Sequence, residues 1–199
     1  MLARLNEDTK VFHAEADAEI DTFLLRDPIT ASGYRTYLMR LYGFLIPYEA
    51  ALADTPGLDE LIDVRTRANA AMVLRDLVAL GMTGSAIGAL PQCESLPGFR
   101  GVAQALGWMY VVERPQLASG VIKRHLAVPL GAEMARGSAY LSSHTGSVGR
   151  AWRELGEAMD QIAATPVIAD RIVAEARTAF RCLRRWRTIE QVETIPLAV

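Results

Sequence analysis

His13 lies in LNEDTKVFHAEAD, four residues after Thr9 and beside Phe12, at the edge of an apolar helical stripe. An imidazole in that position can be a surface or hydrogen-bonded core side chain, or a ligand or catalytic group. Leu117, Ala118, Ser119 and Gly120 follow Pro115 on a long apolar segment, Gly101 to Leu126. Pro115 has no N–H for the carbonyl of Val111, and its ring crowds that carbonyl, so the helix must bend there. The small residues beyond it leave the backbone nearly bare, which either makes room for a bound group or permits close helix packing. Arg150 and Arg153 sit near the N-terminal end of another helix, where the dipole slightly disfavours cations. Solvent, an acidic side chain or an anionic ligand are the partners open to them.

Several chemistries have no support. There is no HExxH, CxxC or ExxH pair for a bare metal, no GxGxxG or GxxxxGK[ST] for a nucleotide, and no nucleophile elbow. A ring-shaped apolar cofactor between two helices fits the residue types better. It needs an imidazole on one side, a low-profile helix on the other, aromatic walls, and cations for carboxylates. His13, the Leu117–Gly120 stretch, the tyrosines of the second helix, and Arg150 or Arg153 could supply these.

The elements that must position them read as helices throughout. Leu2, Leu5, Thr9, Phe12, Ala16, Ile20 and Phe23 trace a first amphipathic helix ending near Asp27-Pro28. A second, capped by Ser32, carries Tyr34, Tyr37, Leu38, Tyr42, Phe44 and Tyr48, and Pro47 should bend it or begin a new turn. ANAAMVLRDLVALGM is a third, closed by Gly81, and MTGSAIGALPQCESLPG reads as a loop. On the long segment Val102, Leu106, Met109, Tyr110, Leu117, Val121 and Ile122 form the expected core-facing stripe. A helix from about Gly146 or Ser147 carries Arg150, Trp152 and Arg153, with His144 just upstream as ambiguous as His13. Thr165-Pro166 caps the last helix, whose buried side runs from Ile168 to Trp186. No hairpin signal, alternating strand or repeat appears, so the expected class is all-α, in one domain spanning 1–199.

At 51% apolar residues the chain can bury a sizeable core, and a formal charge of -2 gives no reason to expect nucleic acid. The two cysteines, Cys93 and Cys182, make no metal or redox pattern and are too few for a disulfide framework. The N-terminal charges do not suit a signal peptide, and no apolar run reaches membrane-spanning length. A cytoplasmic protein without membrane association is expected.

Taken together, the segments resemble the bacterial heme oxygenases, particularly the short form associated with biliverdin supply to bacteriophytochromes. LNEDTKVFHAEAD is similar to the family's first helix, with threonine four residues before the proximal histidine. YLMRLYGFLIPYEAAL, RANAAMVLRDLVALGM, ALGWMYVVERPQLASGVIKRHL, AYLSSHTGSVGRAWREL and AFRCLRRW resemble later segments in the family's order. The resemblance implies an all-α fold with a kinked distal helix, and heme as both substrate and cofactor. It further implies electrons from a ferredoxin or reductase, dioxygen as co-substrate, and biliverdin, ferrous iron and carbon monoxide as products, with a biliverdin-using photoreceptor as a possible partner. His13 would then hold the heme iron, and the backbone of Leu117, Ala118 and Ser119 would steer the iron-bound oxygen. Arg150 or Arg153 would hold the propionates, with Arg114 and Tyr110 as further heme contacts.

The departures fall on the distal helix. The short form has Gly-Ser-Thr-Leu-Gly-Gly where this chain has Arg114, Pro115, Gln116, Leu117, Ala118 and Ser119. The Arg114 side chain either points to solvent or fills the distal space. Three readings therefore stand: a working heme oxygenase with a modified distal side, a heme or tetrapyrrole binder that does not degrade its ligand, and a helical interaction protein with a collapsed pocket.

Overall fold

The computed structural model describes residues 1–20, 24–25, 28–143, 146 and 148–188, the side chains of 19 and 20 excepted. The expected helix end near Phe23 and Asp27, and His144, lie outside the described residues. In order, the helices are α1 (Leu2–Asp8), α2 (Lys10–Ile20), α3 (Ala31–Ala53), α4 (Ala70–Ala79), α5 (Gly84–Gly88) and α6 (Val102–Glu113). A 3₁₀ turn, Arg114–Ala118, leads into α7 (Ser119–Ala127), followed by α8 (Gly131–Arg136), α9 (Ala139–Ser143), α10 (Val148–Ile162) and α11 (Pro166–Arg187).

α6 is the centre of the core. Ala105, Leu106, Trp108, Met109, Tyr110 and Val111 are all essentially inaccessible, so the helix is buried on every side rather than along one stripe. It crosses α11 closely at Gly107, where a Cβ would stand 2.6 Å from the carbonyl oxygen of Ile172 and 3.0 Å from the nitrogen of Ala176. α11 presents Ile172, Val173, Ala176, Ala179, Phe180, Leu183 and Trp186 to the core, in the expected pattern. Its end is tied to α3 by the Trp186 indole, whose N–H donates to the carbonyl of Arg40 at 2.8 Å.

Carboxylates at least partly withdrawn from solvent cap helices across the fold. Glu49 of α3 accepts from the backbone N–H groups of Asn69 and Ala70 at 2.6 and 2.8 Å, which satisfies the first turn of α4. Asp76 of α4 does the same for Ala139 and Tyr140 at 2.6 and 2.9 Å, at the start of α9. Long-range capping of this kind joins elements far apart in the chain.

Three local expectations are corrected. The cap of α3 is Thr30, whose hydroxyl accepts from the N–H of Gly33 at 3.0 Å, rather than Ser32, which lies within the helix. Pro47 lies within the single helix α3, so no new element begins at it. The glycine-rich loop includes α5, capped by Thr83, because a single threonine suffices to start a short turn. The expected kink is present, as the 3₁₀ turn with Pro115 in its first positions.

Candidate functional site

α1 and α2 meet at Thr9, whose hydroxyl donates to the carbonyl of Leu5 at 2.6 Å. That bond competes with the regular helical ladder and distorts the joint. One turn later His13 is buried, 5% exposed, against Phe180 and Tyr110, with ring centroids 5.2 and 5.7 Å away. Its Nε2 lies 2.9 Å from the Thr9 hydroxyl and 2.9 Å from the Tyr110 hydroxyl.

Counting donors assigns the protons. Thr9 has one proton and gives it to Leu5, so towards His13 it can only accept, and the proton of that contact belongs to Nε2. The Tyr110 hydroxyl stands at the same 2.9 Å from that nitrogen, so Nε2 is flanked by two hydroxyls. Burial, and then the nearby Arg114 guanidinium, hold the imidazole down to about 4, with Asp17 offsetting part of this. His13 is therefore neutral at physiological pH, as a metal ligand must be.

Arg114 leaves the start of the 3₁₀ turn and reaches Asp17, one turn after His13. Its two terminal nitrogens meet the two carboxylate oxygens at 3.0 and 3.3 Å. Beside this fork lies a cleft of about 490 Å³ lined by Asp17, Leu25, Arg114, Pro115, Leu117, Ala118, Val121 and Ile122. Its size falls within the roughly 300–1,000 Å³ usual for small-molecule sites, and its walls are apolar apart from that one ion pair. Leu117 and Val121, expected in the core, are 44% and 59% exposed. The 3₁₀ turn explains the change of face. Three residues per turn instead of 3.6 shifts the register through this segment, turning Leu117 and Val121 outward while Ile122 stays buried.

The distal candidates thus separate. Leu117 and Ala118 line the cleft, whereas Ser119 is buried in the first turn of α7 and is absent from the described lining. Arg150 and Arg153 are both exposed, and the described lining contains neither. Arg150 has an acidic neighbour in Glu154, with Nε and Oε1 3.8 Å apart. Glu154 in turn faces Arg67 at 3.3 Å, and Arg67 donates to Glu113 at 2.5 Å, immediately before Arg114. Burial raises the Glu113 carboxyl to about 7 despite Arg67. Sequence reasoning misses Arg67, since it lies in the turn between α3 and α4 with no local pattern to mark it.

The cleft suits a flat apolar ligand, and the imidazole that would meet a metal in it lies one turn from its rim. As arranged, Nε2 is occupied by two hydroxyls, so ligation through that atom would require His13 to exchange both contacts. Among the described residues no three His, Cys, Asp or Glu side chains group around a bare ion.

The fold is all-helical, with a broken helix whose first half, α6, touches a buried histidine through Tyr110 and whose 3₁₀ turn lines an apolar cleft. The heme oxygenase family profile matches residues 1–188, and the chain belongs to that family. A solved structure of the NO- and CO-bound heme oxygenase of Neisseria meningitidis superimposes with a TM-score of 0.75 at 20% identity, covering 100% of this chain and 94% of that one. No curated protein matches.

Proposed function

We propose that this chain binds heme in the cleft between α2 and the distal turn and converts it to biliverdin, ferrous iron and carbon monoxide. The observation that carries the reading is a neutral, buried His13 one helical turn before Asp17, which lines an apolar cleft together with Pro115, Leu117 and Ala118. Bound heme supplies both the iron that handles dioxygen and electrons and the ring that is opened.

The chain's own residues position and shield that group. His13 would hold the iron through its imidazole, giving up its contacts with the hydroxyls of Thr9 and Tyr110. Leu25, Leu117, Val121 and Ile122 cover the ring and keep water from it. The backbone of Leu117 and Ala118 lines the distal side, and Ser119 supports it from within α7. Arg150 or Arg153, exposed on α10 and outside the cleft's described lining, would pair with the carboxylates of the ligand, as a guanidinium fork suits them. Electrons come from a ferredoxin or reductase, and a biliverdin-using photoreceptor is a fitting consumer of the product.

The experiment is single turnover. Hemin complex supplied with electrons and dioxygen should lose its Soret band as biliverdin absorption grows. A heme complex that survives intact would instead favour the second reading, a heme holder that does not degrade its ligand. One observation supports that alternative, namely the Arg114–Asp17 fork beside the distal wall where the short form has glycine.

A further inference from the structure

The two cysteines, which make no pattern in the sequence, meet in space. Cys93 lies in the irregular segment between α5 and α6, anchored by its N–H donating to the carbonyl of Gly43 at 2.9 Å. Cys182 is on α11, 89 residues away, and the two Sγ atoms are 3.8 Å apart. Both are free thiols. The Ser95 hydroxyl stands 3.5 Å from one sulfur and 3.6 Å from the other. Glu94 and Ser95 are exposed, so the pair lies one side chain beneath the surface.

We propose that Cys93 and Cys182 are a reversible thiol–disulfide pair, oxidised by hydrogen peroxide, with Cys93 as the attacking sulfur. The Cys93 thiolate attacks one peroxide oxygen, the O–O bond breaks and hydroxide leaves, taking a proton to become water. The sulfur is then a sulfenic acid. The Cys182 sulfur attacks it, the S–S bond forms, the S–O bond breaks, and the Cys182 proton leaves with the oxygen as a second water. Two thiols lose two electrons and one peroxide gains them.

The geometry requires a modest movement. A disulfide brings the sulfurs to about 2.05 Å, an approach of about 1.8 Å that the irregular segment can make towards the rigid helix. The hydrogen bond with Cys182, then those with Ser95 and the backbone, hold the Cys93 thiol below the usual range, while the bond with Cys93 and burial push Cys182 up. Placement assigns the roles: Cys93 sits in the irregular segment beside exposed Glu94 and Ser95, whereas Cys182 is packed on α11, and the thiolate is the nucleophile. Buried thiols with apolar neighbours alone lack such a partner and stay inert.

The test treats the reduced, folded full chain with stoichiometric hydrogen peroxide and reads intact mass and a peptide map. The expected result is a loss of two hydrogens, a single intrachain link between the Cys93 and Cys182 peptides, and full reversal by dithiothreitol. In Cys182→Ser the expected product is a sulfenic acid at Cys93, captured by dimedone. Thiols that remain free, oxygen added at either cysteine of the wild-type chain without a link, or a link between two chains would each overturn the proposal. The wild-type measurement stands even where the variant fails to fold.

Discussion

His13, Thr9 and Tyr110 form a three-residue hydrogen-bonded unit, and heme ligation must compete with it. Removing one partner should make the imidazole easier to recruit. A typical intramolecular hydrogen bond is worth about 0.5–1.5 kcal/mol, so Tyr110→Phe should tighten hemin binding by up to about tenfold in a Soret titration. An unchanged or weaker affinity would show that Tyr110 does not restrain the ring. The same site predicts a pH effect. Between the ordinary histidine value of 6.5 and the folded value of about 4, the unfolded chain takes up a proton that the folded chain refuses. Stability from neutral His13 is therefore complete above that window and is lost as pH falls through it. Glu113 acts in the opposite sense. Raised from 4.5 to about 7, it contributes stability below that window and loses it as pH rises. Urea midpoints of wild type and His13→Gln at pH 7 and pH 5 isolate the histidine, and the advantage of wild type should shrink at the lower pH. Parallel behaviour of the two proteins would contradict the assignment.

The elements that hold this unit depend on close contacts as much as on apolar area. Gly107→Ala would gain up to about 1 kcal/mol of helix propensity. Its methyl, however, would meet backbone atoms of α11, which cannot turn aside as a flexible side chain can. Overpacking of this kind costs about 1–3 kcal/mol, so the urea midpoint should fall. Arg114→Gly probes the distal turn instead. The fork is partly exposed, with the Arg114 and Asp17 side chains 27% and 53% accessible, and such pairs contribute only about 0–1 kcal/mol. With about 1 kcal/mol more for glycine at a helical position, stability should fall by no more than about 2 kcal/mol while hemin affinity rises, and a larger loss would show that the fork holds the fold together. The helices, the bend at Pro115 and the buried side of α11 are all legible from spacing and proline chemistry. The rotation of Leu117 and Val121 out of the core is not, because a 3₁₀ turn leaves no mark in an apolar pattern that fits either period. Contacts between distant segments are equally hidden. Nothing local to Arg67, Glu49 or Cys93 announces Glu113, Asn69 or Cys182 as its neighbour.

Across the whole molecule, a core centred on α6 leaves one apolar cleft wall partly exposed at Leu117 and Val121. No helix among the described residues is long and apolar enough to cross a membrane. A ligand that fills the cleft of the folded chain and ignores the unfolded one must stabilise the former. At a free concentration 100 times its Kd, hemin should add about 2.7 kcal/mol to the unfolding free energy. The most direct measurement is a hemin titration of the wild-type chain beside His13→Ala, followed at the Soret band. A saturable band in the wild type that is weakened or shifted in the variant is the predicted result. Identical titrations of the two proteins, or no specific band in either, would contradict heme ligation by His13.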